Sequence, residues 1–301
     1  ALVGFRRRDI KERSAGSSLL ERLRGTPLTQ GLADRLPGSA RVSSIWARTA
    51  SEHRTMLAVT SIIIFGLGIW MGPMYNQLDE SLKTLTDDLP ESVLALIGNA
   101  DESTPEGWLT GELYSMFVPI LVITLAVAVG SRALGGEERR GSMGLLLACP
   151  VSRRRILLEK AAAMVLLVGL LGWFTWAGVG IGSWLGGLGV GLANIAAITL
   201  LATLLGLVFG SVALAIGSLT GRVAAAAYGA AGAAVVAYLA NAMLPLSDSL
   251  AELARLSPFY YLLTGDPLSN GIDWSHAAVL AGLSVVLVAL SAVIFQLRDL
   301  R

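Results

Sequence analysis

Apolar residues in this chain do not alternate with polar ones at a strand's period of two. They run together in blocks of about 20, the length that carries a helix across a hydrocarbon core of roughly 30 Å. Six such runs occur, at approximately Met56 to Tyr75, Leu113 to Leu134, Ile156 to Leu185, Asn194 to Leu219, Val223 to Leu244 and His276 to Phe295. The pattern predicts an all-α polytopic membrane protein with six transmembrane helices. Ahead of the first run, from Ser43 to Thr55, Ile45, Trp46 and Ala50 alternate with Arg48, Glu52, His53 and Arg54, the pattern of a short amphipathic helix at a membrane surface. A plain basic flank would read the same way. Residues 1–42, with Arg6, Arg7, Arg8, Lys11 and Arg13 followed by turn residues, are expected to be a basic lead-in, and residues 43–301 the six-span domain.

Within the runs, Pro119 lies inside the second and should kink it by removing one backbone hydrogen bond. Small residues recur four apart at Gly68 and Gly72, at Gly178, Gly182 and Gly186, and at Gly206 and Gly210, where helices can approach closely in lipid.

Composition agrees with the pattern: 54% of the 301 residues are hydrophobic and 15% charged, against roughly a quarter charged in a soluble domain. The net charge of +1 conceals two opposed populations. Eleven Lys/Arg precede the first run, seven lie from Arg132 to Lys160, Arg222 lies between the fourth and fifth runs, and two follow the last, which is 21 of 23. The other side has only Lys83 and Arg255, with nine acids from Asn76 to Glu112 and four from Pro245 to Ser275. The positive-inside rule therefore predicts cytoplasmic termini; the membrane is expected to be the plasma (inner) membrane.

The connection GGEERRGSMGLLLACPVSRRRILLEK, from Gly135 to Lys160, must stay outside the bilayer, because Arg153, Arg154 and Arg155 would each cost about 2.5 to 3.5 kcal/mol at mid-membrane. Within it, Gly144 to Ala148 is a short apolar helix candidate stopped by Pro150, suited to docking in a partner's groove. A loop that only fixes topology is the alternative. Glu159 and Lys160 are expected to snorkel at the membrane interface.

Gly136-Glu137-Glu138, Gly141, Leu145-Leu146-Leu147, Pro150-Val151-Ser152-Arg153 and Lys160 resemble the corresponding loop of ABC type-2 transporter permeases. So do Leu89-Pro90-Glu91, Thr104 to Trp108, Leu256-Ser257-Pro258-Phe259-Tyr260 and Asn270-Gly271, in this order over about Ile45 to Leu300. The resemblance implies an amphipathic elbow at Ser43 to Thr55 and a cytoplasmic coupling helix between Gly135 and Lys160. It also implies a partly embedded external segment at Leu250 to Trp274. The implied ATPase-coupling residues are Glu137, Glu138, Arg139, Gly141, Leu145, Leu146, Pro150, Arg153, Arg154 and Arg155. Met116, Phe117 and Asn241 are candidates for the substrate pathway, with helix packing as their other reading. Phe259, Tyr260 and Tyr261 are candidates for an external gate, although interfacial aromatics are common in membrane proteins.

The chain has no G-x-x-x-x-G-K-[ST] phosphate loop, so it binds no cofactor of its own in this reading. ATP and Mg would be held by a partner ABC ATPase. A second permease half, an identical chain or a fused amino-terminal half, is expected, as is the lipid bilayer; nucleic acid is not. Phe5 to Ile10 resembles Phe295 to Leu300, and the chain starts without methionine, which suggests the second half of a tandem, twelve-span protein.

Other mechanisms lack their parts. The span cores carry no ionisable residue of the kind that marks ion pathways, which counts against an ion-coupled secondary carrier. A hydrolytic or metal centre has only His53 and His276 to draw on, both at span ends and unaccompanied, and Cys149 is the sole cysteine. The expectation is a non-catalytic exporter subunit for an apolar or amphipathic drug, antibiotic or lipid, as in multidrug efflux. A membrane scaffold is the other alternative.

Overall fold

The computed structural model describes residues 40–86, 104–139, 153–246 and 249–297. The chain divides into two compact units, Ala1–Ile45 and Trp46–Arg301, and the second holds all six stretches of membrane-crossing length. Its described residues form helices joined by short turns, with no strand among them. Six long helices dominate: α1 (Ala40–Thr86), α2 (Val118–Arg139), α3 (Arg153–Gly186), α4 (Leu192–Thr220), α5 (Val223–Met243) and α6 (Trp274–Leu297). Each contributes a stretch long and apolar enough to cross a membrane, the second by running from Pro105 to Leu134.

The helices differ in how far the protein encloses them. α4 is apolar on all faces, as a helix must be when neighbours surround it, and 78% of its most apolar window is buried. The same measure is 17% for α5. α4 is therefore the hub, packed by α2, α3, α5 and α6, and α5 is peripheral.

Glycine sets the closest contacts. A Cβ on Gly72 would lie 1.8 Å from the carbonyl oxygen of Gly182, one on Gly182 would lie 2.0 Å from Gly68 O, and one on Gly186 2.5 Å from Gly72. Gly178 meets the Phe65 carbonyl at 2.8 Å in the same way. The two glycine runs noted in the sequence thus face each other, and α1 meets α3 backbone to backbone. Asn76 Nδ2 closes the end of this seam by donating to Gly186 O at 2.7 Å. A second close crossing joins α2 and α4, where a Cβ on Gly130 would meet Gly210 O at 2.3 Å and one on Gly206 would meet Val122 Cγ1 at 2.3 Å.

The turns follow from local chemistry. α3 is followed by Gly187, whose φ of 64° suits glycine; Leu188 N–H reaches Ser183 O and Gly187 N–H reaches Trp184 O, the paired bonds of a Schellman cap. α4 ends at Gly221, also left-handed, whose N–H donates to Gly217 O at 2.9 Å. Only Arg222 then separates it from α5.

Three expectations change. The stretch Ser43 to Thr55 is not a separate helix: α1 runs unbroken through it into the first span. The second span begins earlier than Leu113, with a four-residue helix at Pro105–Trp108 and a π-helical segment at Leu109–Phe117. Thr104 caps that start by accepting from Gly107 N–H, and Pro105 stands at the first helical position, where its missing N–H costs nothing. The π-helix stops immediately before Val118-Pro119, with Val118 N–H bonded to Leu113 O five residues back. The hydrogen-bond ladder thus already runs at a five-residue step where it meets Pro119. Lastly, Lys160 does not snorkel outwards but is 5% exposed. Glu159 is half-buried and held by Arg155 Nε at 3.0 Å.

Candidate permeation site

The segment between α5 and α6 folds back onto the bundle through polar anchors of modest number. Ser257 Oγ donates to Ala237 O on α5 at 2.7 Å and accepts from Phe259 N–H. Asn194, in the first turn of α4, donates from Nδ2 to Leu268 O at 2.7 Å. Two short helices, Tyr260–Leu263 and Pro267–Asn270, insert Leu262 and Leu268, both fully buried. These anchors explain the Leu256-Ser257-Pro258-Phe259-Tyr260 and Asn270-Gly271 stretches: serine bonds the neighbouring helix, and Gly271 adopts a φ of 81° beside Asn194.

Once the segment is fixed, Phe259 is buried between Phe209 of α4 and Tyr238 of α5, with ring centroids 5.8 and 5.5 Å away. Aromatic pairs at such distances prefer tilted or edge contacts, and both do so here. Phe259 and Tyr238 line one end of a cavity of about 320 Å³ between α5 and the second span. Met116, Ile120 and Ile123 form the wall on the second-span side, and Ala231, Ala234 and Val235 the wall on α5. Among the described residues no charged one lines it, and Ser115, Thr124 and Tyr238 are its polar side chains.

The residues singled out in the sequence therefore separate. Met116 and Phe259 meet at this cavity. Phe117 is on the same π-helical segment, 38% exposed, and does not line it. Asn241 is half-buried near the end of α5 and does not line it either. Tyr260 and Tyr261 belong to another cluster, with their rings 6.2 and 5.3 Å from that of His276.

His276 is thus accompanied, contrary to the sequence expectation. Besides the two tyrosines, Asp273 Oδ2 lies 3.8 Å from its Nε2. Asp273 caps α6, its Oδ1 accepting from Ser275 Oγ at 2.6 Å and Ser275 N–H at 2.8 Å. Those hydrogen bonds, the hydroxyl's first, hold the carboxyl below its ordinary pKa. Tyr238, Ile120 and Ile123 were not singled out from the sequence. The signal was present in α5, where Ala231, Ala234, Val235 and Tyr238 fall on one helical face.

Of the coupling loop, Arg154 and Arg155 are exposed on the first turn of α3. Glu137, Glu138 and Arg139 lie in the last turn of α2, and Arg153 begins α3. Gly141, Leu145, Leu146 and Pro150 lie outside the described residues, as do Leu89-Pro90-Glu91, Cys149 and the terminal Phe5 to Ile10 and Arg298 to Leu300 stretches.

Residues 47–300, which include all six apolar helices, match the family described as ABC-2 family transporter protein. The chain belongs to the ABC-2 transporter family. Comparison with curated proteins gives no match. An ABC-2 permease is the membrane-embedded transport subunit of an ABC transporter, a class that associates with an ATP-binding ABC subunit. The chain is accordingly a multi-pass membrane protein.

Proposed function

We propose that this ABC-2 permease exports an apolar or amphipathic compound, such as a drug, an antibiotic or a lipid. In this reading a separate ABC ATPase binds ATP and Mg, and its motion reaches the permease through the loop between α2 and α3. The observation that carries the reading is the cavity walled by Met116, Ile120, Val235, Tyr238 and Phe259, an uncharged surface suited to apolar cargo. The distribution of basic residues supports an orientation with the α2–α3 loop and both termini on the cytoplasmic side of the plasma (inner) membrane.

A second permease half completes the pathway. α5 exposes Tyr228, Val235, Val236, Tyr238 and Leu239, next to the cavity, and is the least enclosed span. The mate is an identical chain or the front half of a tandem polypeptide. Nucleotide would then drive the two halves between inward- and outward-facing states.

The test is ATP hydrolysis by the complex recovered in mild detergent, native against an Arg153→Glu, Arg154→Glu, Arg155→Glu variant. Loss of the ATPase subunit, or loss of cargo-stimulated hydrolysis, supports the reading. Unchanged hydrolysis and efflux in the variant would remove the coupling role, and transport by this chain alone under an ion gradient would remove the ATP-driven one.

A further inference from the structure

A second concavity, of about 680 Å³, lies along α3, α4 and α6. It shares no lining residue with the cavity at Met116 and Phe259. Its flanks are exposed, with Leu158 and Val165 on α3 and Val285 and Val293 on α6 between 45% and 67% accessible, so it opens sideways from the bundle. Along α6 it reaches from Ala281 to Gln296, about 22 Å at roughly 1.5 Å per residue. Along that length the lining is aliphatic apart from Arg154, Ser211, Ser284 and Gln296, a surface that suits a hydrocarbon chain. The length exceeds the roughly 15 Å depth of one leaflet's hydrocarbon, enough for an acyl chain from headgroup level inwards.

Polarity is concentrated at one end. Arg154 and the exposed Gln296 stand at the mouth. Arg155, one residue on, is engaged by Glu159 at 3.0 Å, but Arg154 forms no ion pair among the described residues. Deeper in, Ser284 satisfies itself on Leu280 O, and Ser211 Oγ is buried with no hydrogen-bond partner among the described residues. A cation at the mouth of an apolar trough complements a molecule with an anionic head and a long apolar tail.

We propose that this groove binds an acyl chain of an anionic phospholipid from the surrounding leaflet, with the phosphate at Arg154. The inference is independent of the exported compound. The guanidinium supplies donors in a fork that fits phosphate oxygens, and the aliphatic walls take the chain.

The test is native mass spectrometry of the protein in mild detergent, with phosphatidylglycerol or phosphatidylcholine of matched chains added. The expected result is one retained phosphatidylglycerol, preferred about fivefold, the effect of one basic residue near a membrane surface. Arg154→Gln should abolish the preference. Ala289→Trp, at an exposed lining position of α6, should reduce retention of both lipids while leaving the melting temperature unchanged. Equal retention of the two lipids by the native protein, or a preference that survives Arg154→Gln, would overturn the proposal. So would retention that survives Ala289→Trp, or displacement of the lipid by glycerol phosphate alone at matched concentration, which would make the site a surface anion site.

Discussion

The hydroxyl of Tyr114 lies 2.7 Å from Oγ1 of Thr199, joining the π-helical start of the second span to the hub helix α4. Both residues are buried, and Thr203 Oγ1 donates to the Thr199 carbonyl one turn further on. The bond matters because water is not available there to replace it.

Tyr114→Phe and Thr199→Val should each lower stability, and the two changes together should cost less than their sum. Hydrogen bonds between transmembrane helices couple by about 0.6 kcal/mol on average and up to about 1.7 kcal/mol. A double-mutant cycle on detergent unfolding measures the coupling. A value near zero would mean that the two hydroxyls are neighbours without being partners.

At the α1–α3 seam, Gly182→Ala should prevent the native approach, because the new methyl would stand 2.0 Å from Gly68 O. A loss of at least about 2 kcal/mol is expected, in the range of overpacked cores. Gly66→Ala is the control: nothing lies within 4 Å of its Cβ position, so better helix propensity should leave stability equal or raised by up to about 1 kcal/mol. Thermal unfolding of both variants in one detergent makes the comparison.

Ser257→Ala removes a donor to Ala237 O and an acceptor from Phe259 N–H. A loss of about 1 to 3 kcal/mol is expected, since a buried N–H is left unpaired. Because Phe259 borders the cavity, transport should fall further than stability alone accounts for. Cysteine-labelling rates at an introduced Leu262→Cys report whether the segment has loosened; unchanged labelling would contradict the anchoring role.

The pH dependence of stability has a definite sign at Asp273. Its folded pKa is lowered, first by the Ser275 hydroxyl, so its contribution is present above the ordinary carboxylate value of about 3.9. It disappears as pH falls through the folded value. Asp273→Asn retains a capping oxygen but does not titrate, so its melting temperature should decline less between about pH 5 and about pH 3 than that of the native protein. Parallel declines would assign the acid sensitivity to other carboxylates.

The spans were legible because a helix in lipid must be apolar over a fixed length, a constraint written directly in composition. The glycine runs were legible too, but not their pairing, which depends on how two helices are rotated and is visible only when Gly72 meets Gly182. The π-helix at Leu109–Phe117 left no mark in hydropathy; Pro119 signalled a missing donor but not the widened ladder that precedes it. At the cavity, Met116 and Phe259 were found as isolated candidates. Tyr238 was not, although it shares a helical face with Ala231, Ala234 and Val235, because that spacing does not say whether the face turns to a cavity or to lipid. His276 and Asp273 are only three residues apart, yet Tyr260 and Tyr261 reach them through a fold-back that periodicity does not describe.

Side-chain interfaces accommodate small displacements by changing rotamers, but the seam at Gly68, Gly72, Gly178, Gly182 and Gly186 has no rotamers to change. Sliding there would drive carbonyl oxygens into backbone, so α1 and α3 are expected to move as a single lever. The bending that transport requires then falls to segments outside the seam, and the widened turn before Pro119 is where the ladder of hydrogen bonds is already out of step.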